Sequence, residues 1–416
     1  MDSIMEVFRL TPSPFRSGGA PRVRVASGGS PYDNAMEALS RFDLSPAKGK
    51  RVLLKPNAGR IAAENSGICA HPAVVAAAID AFRAAGAEVS VGESPISGVS
   101  SIEALEATGI ADAARERGCP LIDMDLRKPM LVALPDGVAI KSLKVCPELA
   151  EFDIIVSIPV MKTHMHTGVT LAVKNMKGCL WRRSKVVLHM LPRDPDAEEK
   201  PLDVAIADMS DVLRPHFSLI DGTVGMEGLG PSAGKAKPMG VVVAGDDAYA
   251  ADAVACHLME IDPESVPHLR LGAERGIGTL DLEKIDVEPG DWRALAKPFA
   301  APPNDLKIEF PDVNILDVNS CSACQSTLTL FLKRYEKELR EYLPGDATIA
   351  IGAGHDDLPP GTICVGNCVR KELREKGVFI PGCPPVGSEI LSAVTGTPSV
   401  DVRDGRGELP DDDGSR

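Results

Sequence analysis

The chain alternates short apolar runs with amphipathic stretches. Spacing over 33–42 predicts a helix, and 51–54 a short strand that ends in Lys55-Pro56-Asn57. Over 71–85, Val74, Val75, Ala78, Ile79 and Phe82 fall on one helical face. A strand at 88–91 closes on Gly92-Glu93-Ser94, followed by a helix at 102–117 and a strand at 120–124. Residues 152–159 form an almost unbroken apolar run, as in a strand buried on both faces. Further strands are expected at 217–220 and 240–244, joined by a glycine-rich loop from Asp221 to Gly230, and a helix at 246–258. Strand, helix, strand alternation predicts an α/β fold with a larger parallel or mixed sheet.

The last third repeats the pattern around cysteines. Apolar strands at 313–318, 362–365 and 378–380 precede Cys321-Ser-Ala-Cys324, Gly366-Asn-Cys368 and Pro381-Gly-Cys383-Pro-Pro, and helices are expected at 326–342 and 386–394. Residues 297–303 hold three prolines in seven positions and predict a linker. The expected organisation is a flexible N-terminus (1–30), an α/β domain (31–296), a linker (297–304), a smaller α/β domain bearing the cysteines (305–403) and a disordered tail (404–416).

Composition narrows the function. A chain of 416 residues exceeds one ordinary core. Its 44% hydrophobic and 25% charged residues match a soluble globular protein. A net charge of −14 and 4% aromatics argue against nucleic acid and anionic membranes as partners. No apolar run reaches the ~18–20 residues of a membrane span, and the first thirty residues show no secretory signal. Five of the ten cysteines lie between 321 and 383, which suits a reducing cytoplasm better than a disulfide framework.

Within this acidic chain, residues 154–193 contain no Asp or Glu. They carry Lys162, Lys174, Lys177, Arg182, Arg183, Lys185 and Arg193, with His164, His166 and His189. Lysines after a central strand lie at the sheet's carboxyl rim, where fixed positive charge attracts anions. The expectation is a pocket for a small carboxylate or phosphate substrate, lined by Lys55, Asn57, Lys162, His164, Lys174, Asn175 and Lys177. The bland alternative is a solvated basic face, or a docking patch for an acidic protein, to which Arg182, Arg183 and Lys185 are assigned. His164 is a candidate general acid or base. Together with His166 it could instead ligate one metal, with Cys69 and His71 at similar spacing, or be structural. Glu93 is a candidate base or the ion-pair partner of Lys55, and Lys162 and Asp221 complete the catalytic candidates. The Asp221 loop matches neither GxGxxG nor GxxxxGK[ST], leaving a lid, an anion-cradling turn or a plain surface loop. Cys69, Cys119, Cys146, Cys179 and Cys256 read mostly as buried small apolar residues.

Loops at the carboxyl ends of strands converge, so Cys321, Cys324, Cys368 and Cys383 meet near helix N-termini that favour thiolate. Four thiolates suit iron–sulfur or zinc. The order CxxC, GxC, PGCPP resembles the proximal-cluster site of nickel–iron hydrogenase small subunits, over roughly the last hundred residues. The resemblance implies a 4Fe–4S cluster on Cys321, Cys324, Cys368 and Cys383. Cys364 matches nothing in that pattern; it is a strand residue or a substitute ligand.

Lys55-Pro-Asn57, Gly92-Glu-Ser94, Met161-Lys-Thr-His164, Lys174-Asn-Met-Lys-Gly178 and the Asp221 loop, in this order, resemble an uncharacterised prokaryotic family, domain of unknown function 362, over roughly residues 50–260. Members of that family commonly carry iron–sulfur motifs. One departure is Ala70, where members more often have threonine nearby. The combined expectation is an iron–sulfur oxidoreductase for a small anionic substrate, served by an electron-donor protein. The alternatives are an electron-transfer or assembly protein without its own substrate, and a non-redox cluster enzyme such as a dehydratase or isomerase.

Overall fold

The computed structural model describes residues 8–16, 18–96, 99–192, 197–301, 313–335, 339, 341–343, 347–385 and 387–396. The chain divides between Leu306 and Lys307 into two compact units.

The first unit opens with β1 (Arg22–Ser27), α1 (Pro31–Ser40), β2 (Arg51–Pro56), α2 (Pro72–Ala84) and β3 (Glu88–Glu93). The order continues through α3 (Ser101–Ala107), α4 (Ile110–Glu116), β4 (Leu121–Asp123), β5 (Met130–Ala133), β6 (Ser142–Val145), β7 (Ile154–Ile158), β8 (Val160–His164) and β9 (Gly168–Thr170). After the short helices α5 (Ala172–Asn175) and α6 (Ser184–Val187) come α7 (Pro201–Val212), β10 (Phe217–Glu227), β11 (Lys235–Gly245), α8 (Ala248–Leu258), α9 (Pro267–Glu274) and β12 (Asp286–Glu288). The main sheet runs β12-β1-β11-β10-β7-β2-β3-β4, with β8 joined to β10 and β9 off this path. From β10 to β4 every neighbour is parallel, whereas β11 is antiparallel to both β10 and β1. The sheet is therefore mixed.

Both faces of the central strands are covered. Val52 and Leu54 of β2 pack with Ile154 and Val156 of β7 under α1 and α2, while Leu53 and Ile155 join the opposite core with α7 and α8. This two-sided burial produces the unbroken apolar run of β7. Helix α2 begins sharply because Pro72 fixes the first turn and His71 Nδ1 accepts from Ala73 N at 3.1 Å.

Four expectations are corrected. The segment 1–30 is not simply irregular, since β1 sits between β11 and β12, with Val23 and Val25 buried. Its alternation was masked by alternating arginines, of which Arg24 pairs with Asp286 at 2.8 Å. The helix expected over 102–117 breaks at Gly109, whose φ of 77° separates α3 from α4. The antiparallel hairpin β5–β6 was not anticipated. The glycine-rich loop beginning at Asp221 is mostly strand: β10 runs to Glu227 and pairs with β11 as far as Lys235. A methyl group at Gly225 would lie 2.6 Å from Met161 O, so glycine here permits close approach to β8. Within the expected linker, Phe299 is buried in the first unit and its N–H donates to Met259 O at 3.0 Å. Residues 302–304 and the expected tail lie outside the described residues.

The second unit contains a parallel sheet in the order β13 (Val313–Asp317), β14 (Ala347–Ile351), β15 (Ile363–Val365) and β16 (Val378–Ile380). Helices α10 (Ser322–Arg334) and Gly387–Thr395 cover one core through Leu328, Phe331, Leu332 and Ile390. Strand β14, rich in β-branched and small residues, was missed between the cysteine blocks.

Candidate functional site

The carboxyl ends of β2 and β3, together with β8 and α5, bring Lys55, Glu93, Lys162, His164, Lys174 and Asn175 into one region, every one of them buried. Lys55 Nζ donates to Glu93 Oε2 at 2.9 Å, Asn175 Oδ1 at 3.1 Å and Pro56 O at 3.2 Å. Asn175 in turn donates to Lys55 O at 3.2 Å and Ser157 Oγ at 3.0 Å, which locks α5 to the strand ends. Glu93 also accepts from Ala58 N at 3.1 Å and Ser94 N at 2.8 Å. Both of its oxygens are thus engaged, and Glu93 is the ion-pair partner of Lys55.

The other lysines lack such compensation. Lys162 Nζ donates to Asn57 Oδ1 at 2.6 Å and Ile68 O at 2.8 Å, Lys174 Nζ to Thr170 Oγ1 at 3.3 Å, and Lys177 Nζ is hydrogen-bonded with His189 Nε2. All these partners are neutral. Burial lowers Lys162 to about 8, and the charges of Arg60 and Lys55 add to this, partly offset by Cys69 and Glu93. Lys174 falls to about 7 through burial and then the nearby Lys162, partly offset by Asp203. Lys177 falls well below its ordinary range by burial and the charge of Lys174. Burying these amines with only Glu93, committed to Lys55, and the more remote Asp203 to balance them is costly, and a bound anion would offset that cost.

Burial, followed by the charge of Lys174, also pushes His164 well below the usual histidine range. Its Nδ1 accepts from His166 N at 3.1 Å, which leaves Nε2 carrying the proton of the neutral ring. The rings of His164 and His166 are 5.9 Å apart, and those of His166 and His189 are 6.1 Å apart. Among the described residues, no group of three or more His, Cys, Asp or Glu is arranged to hold a single metal ion. Asp221 binds backbone rather than solvent: Oδ2 accepts from His71 N at 2.7 Å and Oδ1 from Thr223 N at 2.9 Å. Arg182 and Lys185 fold onto Asp125 and Ser94, with Lys185 Nζ donating to Ser94 Oγ. Arg193 lies outside the described residues.

Two contributors were not anticipated. Asp252 of α8 is buried and accepts from Ala172 N at 2.7 Å and Val173 N at 3.0 Å, seating the helix that bears Lys174 and Asn175. Burial raises it to about 8, against those two donors. Gly178 makes room for the ion pair, because a methyl there would stand 2.5 Å from Glu93 Oε1 and 2.6 Å from Lys55 Nζ. Only Gly178 was visible in sequence, as the end of the Lys174–Gly178 motif; Asp252 carried no signal.

In the second unit, Cys321 is the N-cap of α10, Cys368 follows β15 and Cys383 follows β16. A hydrogen bond from the Cys324 thiol lowers Cys321 to about 6, assisted by the N–H groups of the helix start. Cys324 is pushed strongly upward by Cys321 and burial, and also feels Cys368 and Cys383. The turns meet there: Asn367 N donates to Gly382 O and Gly382 N to Asn367 Oδ1, both at 3.0 Å. A methyl on Gly366 would lie 3.3 Å from Cys324 Sγ. Cys364 is buried beside Ala350, Leu358 and Leu373, its thiol facing Thr362 O at 3.8 Å, as expected of a strand residue.

Residues 52–257 match the family described as Domain of unknown function (DUF362). The thylakoid-associated protein sll1697 of Synechocystis is 25% identical over 235 residues, which cover 56% of this chain and 71% of that protein. The solved structure of the lactate racemase apoprotein from Thermoanaerobacterium thermosaccharolyticum aligns with 85% of this chain and 75% of its own, at 14% identity and a TM-score of 0.40. The family match ends before the cysteine-bearing unit begins.

Proposed function

Residues 52–257 belong to the family called domain of unknown function 362, and on that footing we propose that the protein is an iron–sulfur oxidoreductase whose first unit binds a small carboxylate or phosphate. The observation that carries this reading is the buried pair Lys162 and Lys174 with the half-buried Lys177, whose hydrogen bonds go to neutral partners. An anion supplies the missing countercharge, and its arrival raises the proton affinity of each amine. A docking face for an acidic protein would present these amines to solvent, whereas Lys162 is only 2% exposed.

Cys321, Cys324, Cys368 and Cys383 would hold a 4Fe–4S cluster. Support comes from the soft donor set, the lowered Cys321 thiol and the mutual influence of the four sulfurs. Such a cluster, when bound, supplies one electron at a time. An electron-donor protein is therefore part of the proposal, and a two-electron change in the ligand proceeds in two steps.

The chain's own residues bind and orient. Lys162 and Lys174 neutralise the ligand's charge, and the neutral His164 offers its Nε2 proton as a donor. Lys55, Glu93 and Asn175 fix the walls of the site rather than reacting. Proton transfer to a reduced ligand falls to Lys174, whose affinity near neutrality suits that exchange.

The test combines two measurements on anaerobically purified protein. Metal analysis with spectra before and after dithionite should give about four irons per chain and a reduced-state paramagnetic signal. A colourless protein with stoichiometric zinc would overturn the redox reading. Calorimetry with carboxylates and inorganic phosphate should detect binding that is lost in Lys162→Met.

A further inference from the structure

The segment before β1 builds a cleft on the first unit, far along the strands from the buried lysines. Leu10 N donates to Val212 O at 2.9 Å, the Phe15 ring packs against Phe82 and Phe217 at 6.0 and 5.4 Å, and Arg22 Nη2 donates to Phe15 O at 2.6 Å. Fastened in this way, the segment walls a cleft of about 190 Å³ with Thr11, Ser13, Arg16, Arg214, Asp246 and Asp247 in its lining. Cavities of ~150 Å³ hold a benzene-sized ligand, so a small oxyanion fits. Arg214 precedes β10, which runs parallel to β7 and hence to β2. The cleft therefore lies at the amino ends of these strands, whereas Lys55 closes β2 at its carboxyl end. Thr11 and Arg16 are exposed, which leaves the cleft open to solvent.

The acceptors in its wall are spent. Asp246 Oδ1 accepts from Arg22 N and Oδ2 from Arg22 Nε, both at 2.9 Å. Asp247 Oδ1 accepts from Tyr249 N at 3.0 Å and Ala250 N at 3.1 Å, and Oδ2 from Arg16 Nη1 at 3.2 Å. Donors remain. His216 Nδ1 accepts from Ile155 N at 2.9 Å, so the neutral ring carries its proton on Nε2 and gives it to Thr11 Oγ1 at 3.0 Å. The Thr11 hydroxyl must then donate elsewhere. Ser13 Oγ accepts from Phe15 N at 3.3 Å, and its own hydrogen goes to no described residue. Arg16 uses Nη1 on Asp247 and Nη2 on Gly19 O, and Arg214 uses Nη1 on Ile277 O. The Nε–H of each arginine has no acceptor among the described residues. The guanidiniums of Arg16, Arg22 and Arg214 outnumber the carboxylates of Asp246 and Asp247 by one positive charge.

We propose that this cleft is a second binding site, for a phosphate group carried free or as a monoester. Its spare groups are all donors, two hydroxyls and two guanidiniums, and a phosphate supplies at least three strong acceptor oxygens where a carboxylate has only two. Arg16 and Arg214 carry the charge of the contact, and Thr11 and Ser13 complete the shell. The two carboxylates hold the arginines and the segment in place rather than facing the ligand unpaired. Because the cleft lies at the other end of the strands, its ligand is distinct from any anion held by Lys162, and the proposal stands or falls without that site.

Calorimetry on the full-length protein carrying Lys162→Met tests this with inorganic phosphate, glycerol 3-phosphate and acetate. One phosphate per chain should still bind, and adding Arg214→Gln should weaken it about 10–100-fold, the value of a lost charge-assisted pair. Thr11→Val, at an exposed position, should weaken it by less. Glycerol 3-phosphate binding above inorganic phosphate, with the same Arg214 dependence, supports the proposal and identifies the monoester. Hydrogen exchange on the unaltered protein locates the site without any substitution: phosphate should slow exchange in peptides containing Thr11–Arg16 and Arg214–His216. No phosphate bound in Lys162→Met, binding indifferent to Arg214→Gln, acetate bound as tightly as phosphate, or unchanged exchange in those peptides each overturns it. Phosphate binding that depends on Arg214 but not on Lys162 would leave this proposal standing while removing the anion site of the lysines.

Discussion

On the anion-binding proposal, each buried lysine of the site trades stability for recognition. Lys162 holds about 8 in the fold against ~10.4 in an unfolded chain. Between those values the unfolded state binds more protons, so ligand-free stability rises with pH through that window. Below pH 8 the penalty is fully present, on the order of 3 kcal/mol. Lys162→Met removes it and loses two hydrogen bonds, for a net gain of roughly 1 kcal/mol at pH 7. Urea unfolding at pH 7 and pH 10 should show the gain disappearing at the higher pH. Carboxylate affinity runs the other way. It should be greatest below about pH 7 and fall as Lys174 and then Lys162 lose their protons, by about tenfold per pH unit for each proton taken up on binding. Calorimetric titration of a carboxylate from pH 6 to pH 9.5 checks the direction. The lysines were legible in sequence because forty residues without a carboxylate stand out in an acidic chain.

At the scale of elements, the site depends on how α5 is held. It has four residues, too few to be stable alone. Asp252 secures its first N–H groups and Asn175 ties its end to β2 and β7. Asp252→Asn leaves one buried N–H without an acceptor and should cost about 1–3 kcal/mol in urea unfolding. Gly178→Ala pushes a methyl into the Lys55–Glu93 pair. Breaking a buried pair costs roughly 3–5 kcal/mol, and the loss should appear as a lower urea midpoint with unchanged slope. The long regular elements α1, α2, β2, β3 and β7 were readable because their burial imposes a clean period. The second half of β10, from Asp221 on, was not: glycines required by the approach of β8 gave it the composition of a loop.

For the whole molecule, the cores fall within separate units: the first surrounds the mixed sheet, and the second lies under α10 and the helix Gly387–Thr395. Calorimetric unfolding should therefore contain two transitions. A carboxylate ligand raises the one belonging to residues 1–306, and Cys321→Ala lowers the one belonging to residues 307–416. The α/β class followed from alternating strand and helix patterns, which left the main sheet as parallel or mixed; the antiparallel β11 makes it mixed. The hairpin β5–β6 and the strand β14 did not, because four- and five-residue elements with little alternation resemble loops. No described helix is long and apolar enough to cross a membrane.

On the anion-binding proposal, the only partly balanced charge of Lys162 and Lys174 also sets how such a gene should drift. A lineage that ceased to use the ligand would gain stability from almost any apolar or amide replacement at these positions, so selection would favour their loss. Positions 162 and 174 therefore act as a clock. On that proposal, relatives that keep both lysines should bind an anion, and relatives with methionine, leucine or glutamine there should keep the scaffold without binding one.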